Sequence, residues 1–299
     1  MAGLALIVLV LVVALVAIAV LLVQNATHRP DATTDAVLAS ARRHEVLVST
    51  CATVAAVGAV VMVWRLHLGV PRELDETVRV TSPFFGAVVL CLARSVGERF
   101  WPRPTGSVRR APLRRRTVHG VAGWRLPVLA ATVSLGIVAV VVYGVTGTAD
   151  GRAVAKGSVL GPDGSVVEWG QSGPYPGWAF GIPVGLALIL VLAATVAALG
   201  VITRRPALAV VPVEQDDAVR RTSAARLLAG VQAWAGGALA LMMLVATSAL
   251  LSAGHPVAAA ASAVVGLATG LGSVAVAVTA LPARPVAAGA APAPAGAGA

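Results

Sequence analysis

The chain has 299 residues, of which 58% are apolar and 12% charged, and its mean hydropathy is +0.86. Soluble domains carry about 25% charged residues, so an ordinary water-soluble enzyme, a disordered chain and a disulfide-stapled secreted domain are all excluded. The net charge of +10 rests on arginine, with Lys156 the single lysine. Those arginines flank apolar runs and form no domain of their own, which argues against a nucleic-acid partner.

About 20 apolar residues at 1.5 Å per residue cross the ~30 Å hydrocarbon layer of a bilayer. Residues 4–23 are uninterrupted in this sense. No basic residue precedes them, the run exceeds a signal peptide's 7–15 residues, and no small-x-small cleavage site follows; a retained span is expected. Residues 46–64 form the next run, broken only by Ser49, Thr50 and Thr53. Those hydroxyls can return hydrogen bonds to their own helix. Glu73, Asp75 and Glu76 then balance Arg65, Arg72 and Arg79 in a stretch read as a solvated loop rather than a cation site. Residues 80–96 are marginal, about 26 Å if helical, with Arg94 near one end expected to snorkel to the headgroups. This segment is either a further span or a helix lying at the interface.

Residues 126–145 are a clear span. The following stretch, 146–176, carries AVAKGSVL and SVVEW around Gly161-Pro162-Asp163-Gly164, a turn signal that predicts a small extracytoplasmic β-hairpin. A lone hairpin is marginal in water, so it should rest on helix ends or on a partner. The span at 178–202 opens on Gly177, Gly181 and Gly185, and Gly266 and Gly270 recur in the last span. Four-residue spacing of glycines strips one helix face and allows close helix packing. Pro183 in the same turn is expected to kink the helix. Asp216 and Asp217 suit a helix start and are spaced to pair with Arg220 and Arg221, so the span at 227–251 should begin as a stalk near Asp216. Gln232, a polar side chain one turn into that span, reads as an interhelical hydrogen bond. A span at 257–281 follows. Residues 282–299 are an Ala/Pro/Gly-rich tail expected to be disordered.

Basic loops stay on the cytoplasmic side. Counting seven spans with the N-terminus outside, or six with it inside, places 18 basic residues in the cytoplasm and 5 outside in both cases. The balanced charges of 65–79 and the uncharged start of the chain favour seven. Arg109, Arg110, Arg114, Arg115 and Arg116 lie close to the membrane surface, where each gains ~1 kcal/mol against anionic lipid; they are the candidate lipid- or partner-contacting residues.

Catalytic and cofactor signatures are missing. There is no GxxxxGK[ST], no HExxH after His44-Glu45 and no GxSxG. No catalytic, cofactor-binding or metal residue is assigned, and no acid or base stands near the middle of a span, where ion-coupled transporters usually hold one. Cys51 and Cys91 have no metal spacing and read as small buried hydrophobes. If 46–64 and 80–96 form a hairpin, the two thiols should lie close enough to cross-link.

RRAPLRRR, PGWAFGIP and DDAVRRTSAAR, in this order over residues 80–250, resemble uncharacterised integral membrane proteins of actinobacteria. The resemblance implies a full span at 80–96 and brings no activity with it. The expectation is therefore an all-α polytopic membrane protein, one domain over 1–281, multi-pass in the cell membrane with a cytoplasmic C-terminus. It is read as a non-enzymatic component that packs with or scaffolds partners. The expected partners are anionic lipid headgroups and a protein or a second copy. A transporter or permease subunit is the alternative. A lipid-directed enzyme using Asp150, Asp163 and Glu168 ranks third, because those acids have no partner base.

Overall fold

The computed structural model describes residues 36–65, 71–100, 116–156, 159–160, 163, 166–168, 170–208 and 211–280. The span expected at 4–23, the tail 282–299, and Arg109, Arg110, Arg114 and Arg115 lie outside the described residues. The chain is helical: α1 (Ala36–Arg65), α2 (Arg72–Arg99), the short α3 (Val118–Ala122), α4 (Arg125–Thr146), α5 (Trp178–Arg204), α6 (Val213–Ser252) and α7 (Pro256–Val278). Among the described residues, six helices are long and apolar enough to cross a membrane.

One of the six is α2, which settles the marginal segment as a long helix. It also takes in Glu73, Asp75 and Glu76, so most of the loop expected at 65–79 is the first turns of a helix. Those turns carry i,i+4 ion pairs, Arg72–Glu76 at 2.9 Å and Asp75–Arg79 at 2.8 Å. Pro83 sits inside α2 and cannot donate to the carbonyl of Arg79, a loss that usually breaks a helix. Ser82 compensates locally, since its hydroxyl donates to that same carbonyl at 2.7 Å. Trp64 donates its indole N–H to Ser82 Oγ at 3.0 Å and ties α1 to α2.

Long helices consecutive in the chain run in opposite directions, whereas α2 and α5 lie side by side in parallel, with Cys91 beside Thr195 and Glu98 beside Arg205; the side-chain contacts define two ends. The first end carries a β-ribbon. Strand β1 (Val154–Ala155) pairs antiparallel with β4 (Gln171–Ser172), and β2 (Val159–Leu160) with β3 (Val166–Glu168). The ribbon rests on helix ends. Arg152 pairs with Glu76 at the start of α2 at 2.9 Å and lies over the Phe180 ring of α5. His255 Nε2 contacts the Ala155 carbonyl at 3.0 Å, and Tyr175 meets Thr146 at the end of α4 at 2.7 Å. Burial raises the Tyr175 phenol, with the Thr146 hydrogen bond opposing. Gly151 has φ 67° and a Cβ there would sit 2.6 Å from the Ala179 nitrogen, so only glycine lets the loop close onto α5.

The apolar core is built from side chains such as Leu129, Leu188, Leu199, Leu228, Leu239 and Met243, all essentially fully buried. The outside is equally apolar: Leu186, Ile189, Val264, Leu267 and Leu271 are exposed. A water-soluble bundle turns polar residues outward, whereas this one presents the surface that lipid tails solvate. Glycine spacing does act in helix packing inside the chain. Gly181 and Gly185 face Val140 of α4, and Gly266 and Gly270 face Ala240 of α6. Gly177 lies instead at the N-cap of α5, against the backbone of Gly151.

A buried ionic cluster at one end of the helix bundle

The end opposite the β-ribbon holds charge where the sequence suggested none was buried. Glu45 of α1, Arg94 and Glu98 of α2, and Arg205 just after α5 are each at most 5% exposed. Arg94 is the hub. It donates to Glu45 Oε1 and to Ser49 Oγ, and its Nε lies 3.4 Å from Glu98 Oε1. Glu98 Oε2 accepts from Arg205 at 2.9 Å. Ser223 of α6 joins the two halves: its hydroxyl donates to Glu45 Oε2 at 2.6 Å and accepts from Arg205 at 3.2 Å. Arg226, one turn further along α6, lies 3.5 Å from Glu45 Oε1. Four helices therefore meet in one network of charge-assisted bonds.

Local sequence explains the assembly. Arg94 and Glu98 are four apart on one helix, which stacks them on one face. Gly97 lets α1 approach, because a Cβ there would lie less than 3.0 Å from the methyl groups of Val48. The Gly97 carbonyl also takes the His44 ring nitrogen at 3.1 Å. Replacing Gly97 by Leu is expected to push α1 off α2 and to lower the melting temperature by several degrees. A melting curve equal to that of the parent chain would show that this crossing is loose.

A second set of charges adjoins the first. Arg220 of α6 is fully buried. Its Nε donates to Asp216 at 3.0 Å, and its other nitrogens donate to the carbonyls of Ile202, Thr203 and Pro206. Arg116 completes it, donating to Asp216 at 2.9 Å and Asp217 at 3.0 Å. Of the five arginines expected at the lipid surface, Arg116 is thus turned inward onto two aspartates. The Asp216–Arg220 pairing holds, whereas Asp217 takes Arg116 in place of Arg221.

Two further expectations change. Arg94 does not snorkel; it is 2% exposed and paired. Cys51 is exposed on α1, while Cys91 is buried with its Sγ 3.6 Å from Thr195 Oγ1 of α5. One thiol is open on the outside of α1 and the other is buried against α5, so cross-linking them is not expected. A small membrane-permeant maleimide should label Cys51 well before Cys91, as read by peptide mass spectrometry; equal rates would contradict the placement of Cys91. Asp150 accepts from the Thr148 hydroxyl and the Arg152 amide, which hold its carboxyl below the usual range.

Gln232 is where the sequence suggested, and it ties three helices. Its Nε2 donates to Thr132 Oγ1 of α4 at 2.9 Å and to Ser273 Oγ of α7 at 3.1 Å. Its Oε1 is buried and has no hydrogen-bond partner.

The ionic cluster was half legible. The Arg94–Glu98 and Asp216–Arg220 spacings are visible as i,i+4 pairs. The contributions of Glu45, Arg205 and Ser223 depend on helix contacts between residues more than a hundred apart in sequence, such as Glu45 and Ser223. Among the described residues, no group of three or more His, Cys, Asp or Glu is placed to hold a metal ion. No protein-family model, curated protein or solved structure matches the chain.

Proposed function

We propose that this is a seven-span, non-enzymatic protein of the cell membrane that packs with or scaffolds other components, with its C-terminus and ionic end in the cytoplasm. One observation carries the reading: the buried acids and bases of the ionic end hold one another and the helix ends. Glu45, Glu98 and Asp216 each contact at least one guanidinium, a use of charge that fixes helix register rather than presenting a reactive group. The basic run Arg109, Arg110, Arg114 and Arg115 leads directly into Arg116, which is anchored on Asp216 and Asp217. A charge-locked end joined in sequence to a basic run suits a platform for an acidic partner or for anionic lipid.

The test is gentle extraction of the tagged chain into native lipid particles, followed by mass spectrometry. A stoichiometric protein companion, lost when Arg109, Arg110, Arg114 and Arg115 are changed to Gln, is the expected result. A homogeneous particle without companions overturns the scaffold reading.

The second reading, a transporter or permease subunit, draws on Gln232. An acceptor without a donor inside a bundle is a place where a polar solute gains a hydrogen bond. It predicts that a cysteine at Ser273, in a chain lacking Cys51 and Cys91, reacts with a water-soluble thiol reagent. If Gln232 only glues helices, Ser273→Cys stays unlabelled and Gln232→Leu costs ~1 kcal/mol or less.

A further inference from the structure

We propose that Arg226 binds a phosphate oxyanion at the ionic end of the bundle. The cluster of Glu45, Glu98, Arg94, Arg205 and Arg226 contains three guanidinium groups and two carboxylates, which leaves one positive charge in excess. Arg226 carries that surplus. Its only ion-pair contact among the described residues is at 3.5 Å, to Glu45 Oε1, an oxygen that Arg94 already holds more closely. The Arg226 side chain is 7% exposed, and its Nε has no hydrogen-bond partner. A buried, half-paired cation is costly unless an anion completes it. A guanidinium presents parallel N–H donors to a phosphate, which is why arginine is favoured at such sites.

Position supplies the ligand class. The apolar run of α6 begins at residue 227, so Arg226 stands at the first level where phosphate groups occur, the headgroup layer. A phosphodiester of a lipid and free inorganic phosphate present the same oxygens to it. The adjoining Arg220 and Arg116 do not compete, because Asp216 and Asp217 occupy them. The inference does not need the scaffold reading, only that the bundle lies in a bilayer. A companion-free particle would sink the scaffold and leave this site standing.

The test uses the full chain in detergent, with native mass spectrometry and melting curves. The probes are dioleoylphosphatidylglycerol, dioleoylglycerol (the same tails without phosphate) and inorganic phosphate. The expected result is one retained phosphatidylglycerol per chain, bound about tenfold or more weakly by Arg226→Gln, with Arg226→Lys in between. Displacement by inorganic phosphate assigns the site to a free anion, and resistance to displacement assigns it to the headgroup; both support a phosphate site. Equal retention of phosphatidylglycerol by the parent chain and a folded Arg226→Gln overturns it. Should Arg226→Gln fail to fold, the parent chain decides alone. A melting temperature raised neither by phosphatidylglycerol over dioleoylglycerol nor by phosphate overturns the proposal.

Discussion

Replacing Arg94 by Met is expected to destabilise the bundle by ~3–5 kcal/mol, the cost of removing one member of a buried ion network. The magnitude follows from what is left behind. Glu45 keeps Ser49, Ser223 and the distant Arg226, and Glu98 keeps Arg205. Two carboxylates, each about 3% exposed or less, then share fewer guanidinium groups. Methionine fills most of the arginine's volume, so the loss reports charge rather than a cavity. The measurement is reversible unfolding in mixed micelles, with Glu45→Gln and the double variant completing a cycle. The double variant should be more stable than the sum of the two single losses by more than ~1 kcal/mol, because removing both charges removes the stranded carboxylate. An Arg94→Met cost below ~1 kcal/mol, typical of an exposed pair, would show that water reaches this cluster. The half-exposed pair Arg152–Glu76 at the other end is the internal comparison, and Arg152→Ala there is expected to cost about 1 kcal/mol or less.

The contrast between the two ends also explains what could be read from the chain. Long apolar runs are a local property, and five of the described helices coincide with runs read directly from the sequence. The sixth, α2, was ambiguous because residues 80–96 cover only about 26 Å; within the helix, Pro83 and Arg94 are each unfavourable when taken alone. Each is answered by a partner: Ser82 restores the carbonyl contact that Pro83 loses, and Glu45 neutralises Arg94. The first answer lies one residue away; the second lies 49 residues away and needs α1 to pack on α2 at Gly97. The strand pairing of 159–160 with 166–168 was legible because the turn signal between them is contiguous in sequence. The ionic cluster was legible only in its i,i+4 spacings, because its other members sit at the ends of separate helices. Windowed hydropathy there sees only the fading edge of a span, and a charge at that edge reads as solvated.

Replacing Arg220 by Ala is the second large effect, expected at ~2–4 kcal/mol, and it acts through a helix that Arg220 does not belong to. The last carbonyls of α5 have no partner within their own helix. The side chain of Arg220, reaching across from α6, donates to those of Ile202 and Thr203 and to the Pro206 carbonyl that follows. A buried acceptor left without a donor costs ~1–3 kcal/mol, and here three lose one together. Asp216 retains Arg116, so the carboxylate is not stranded and the loss falls on the α5 terminus. Hydrogen exchange should therefore rise at residues 203–208 while α1 and α2 keep their protection. Arg221, the neighbouring exposed arginine, supplies the control, since Arg221→Ala removes the same charge at a cost within ~0.5 kcal/mol. If both variants melt alike and exchange at 203–208 does not change, Arg220 is not the cap of α5. The α5–α6 connection would then be held by Arg205 on Glu98 and Ser223 and by the apolar contacts of Leu208 and Val211.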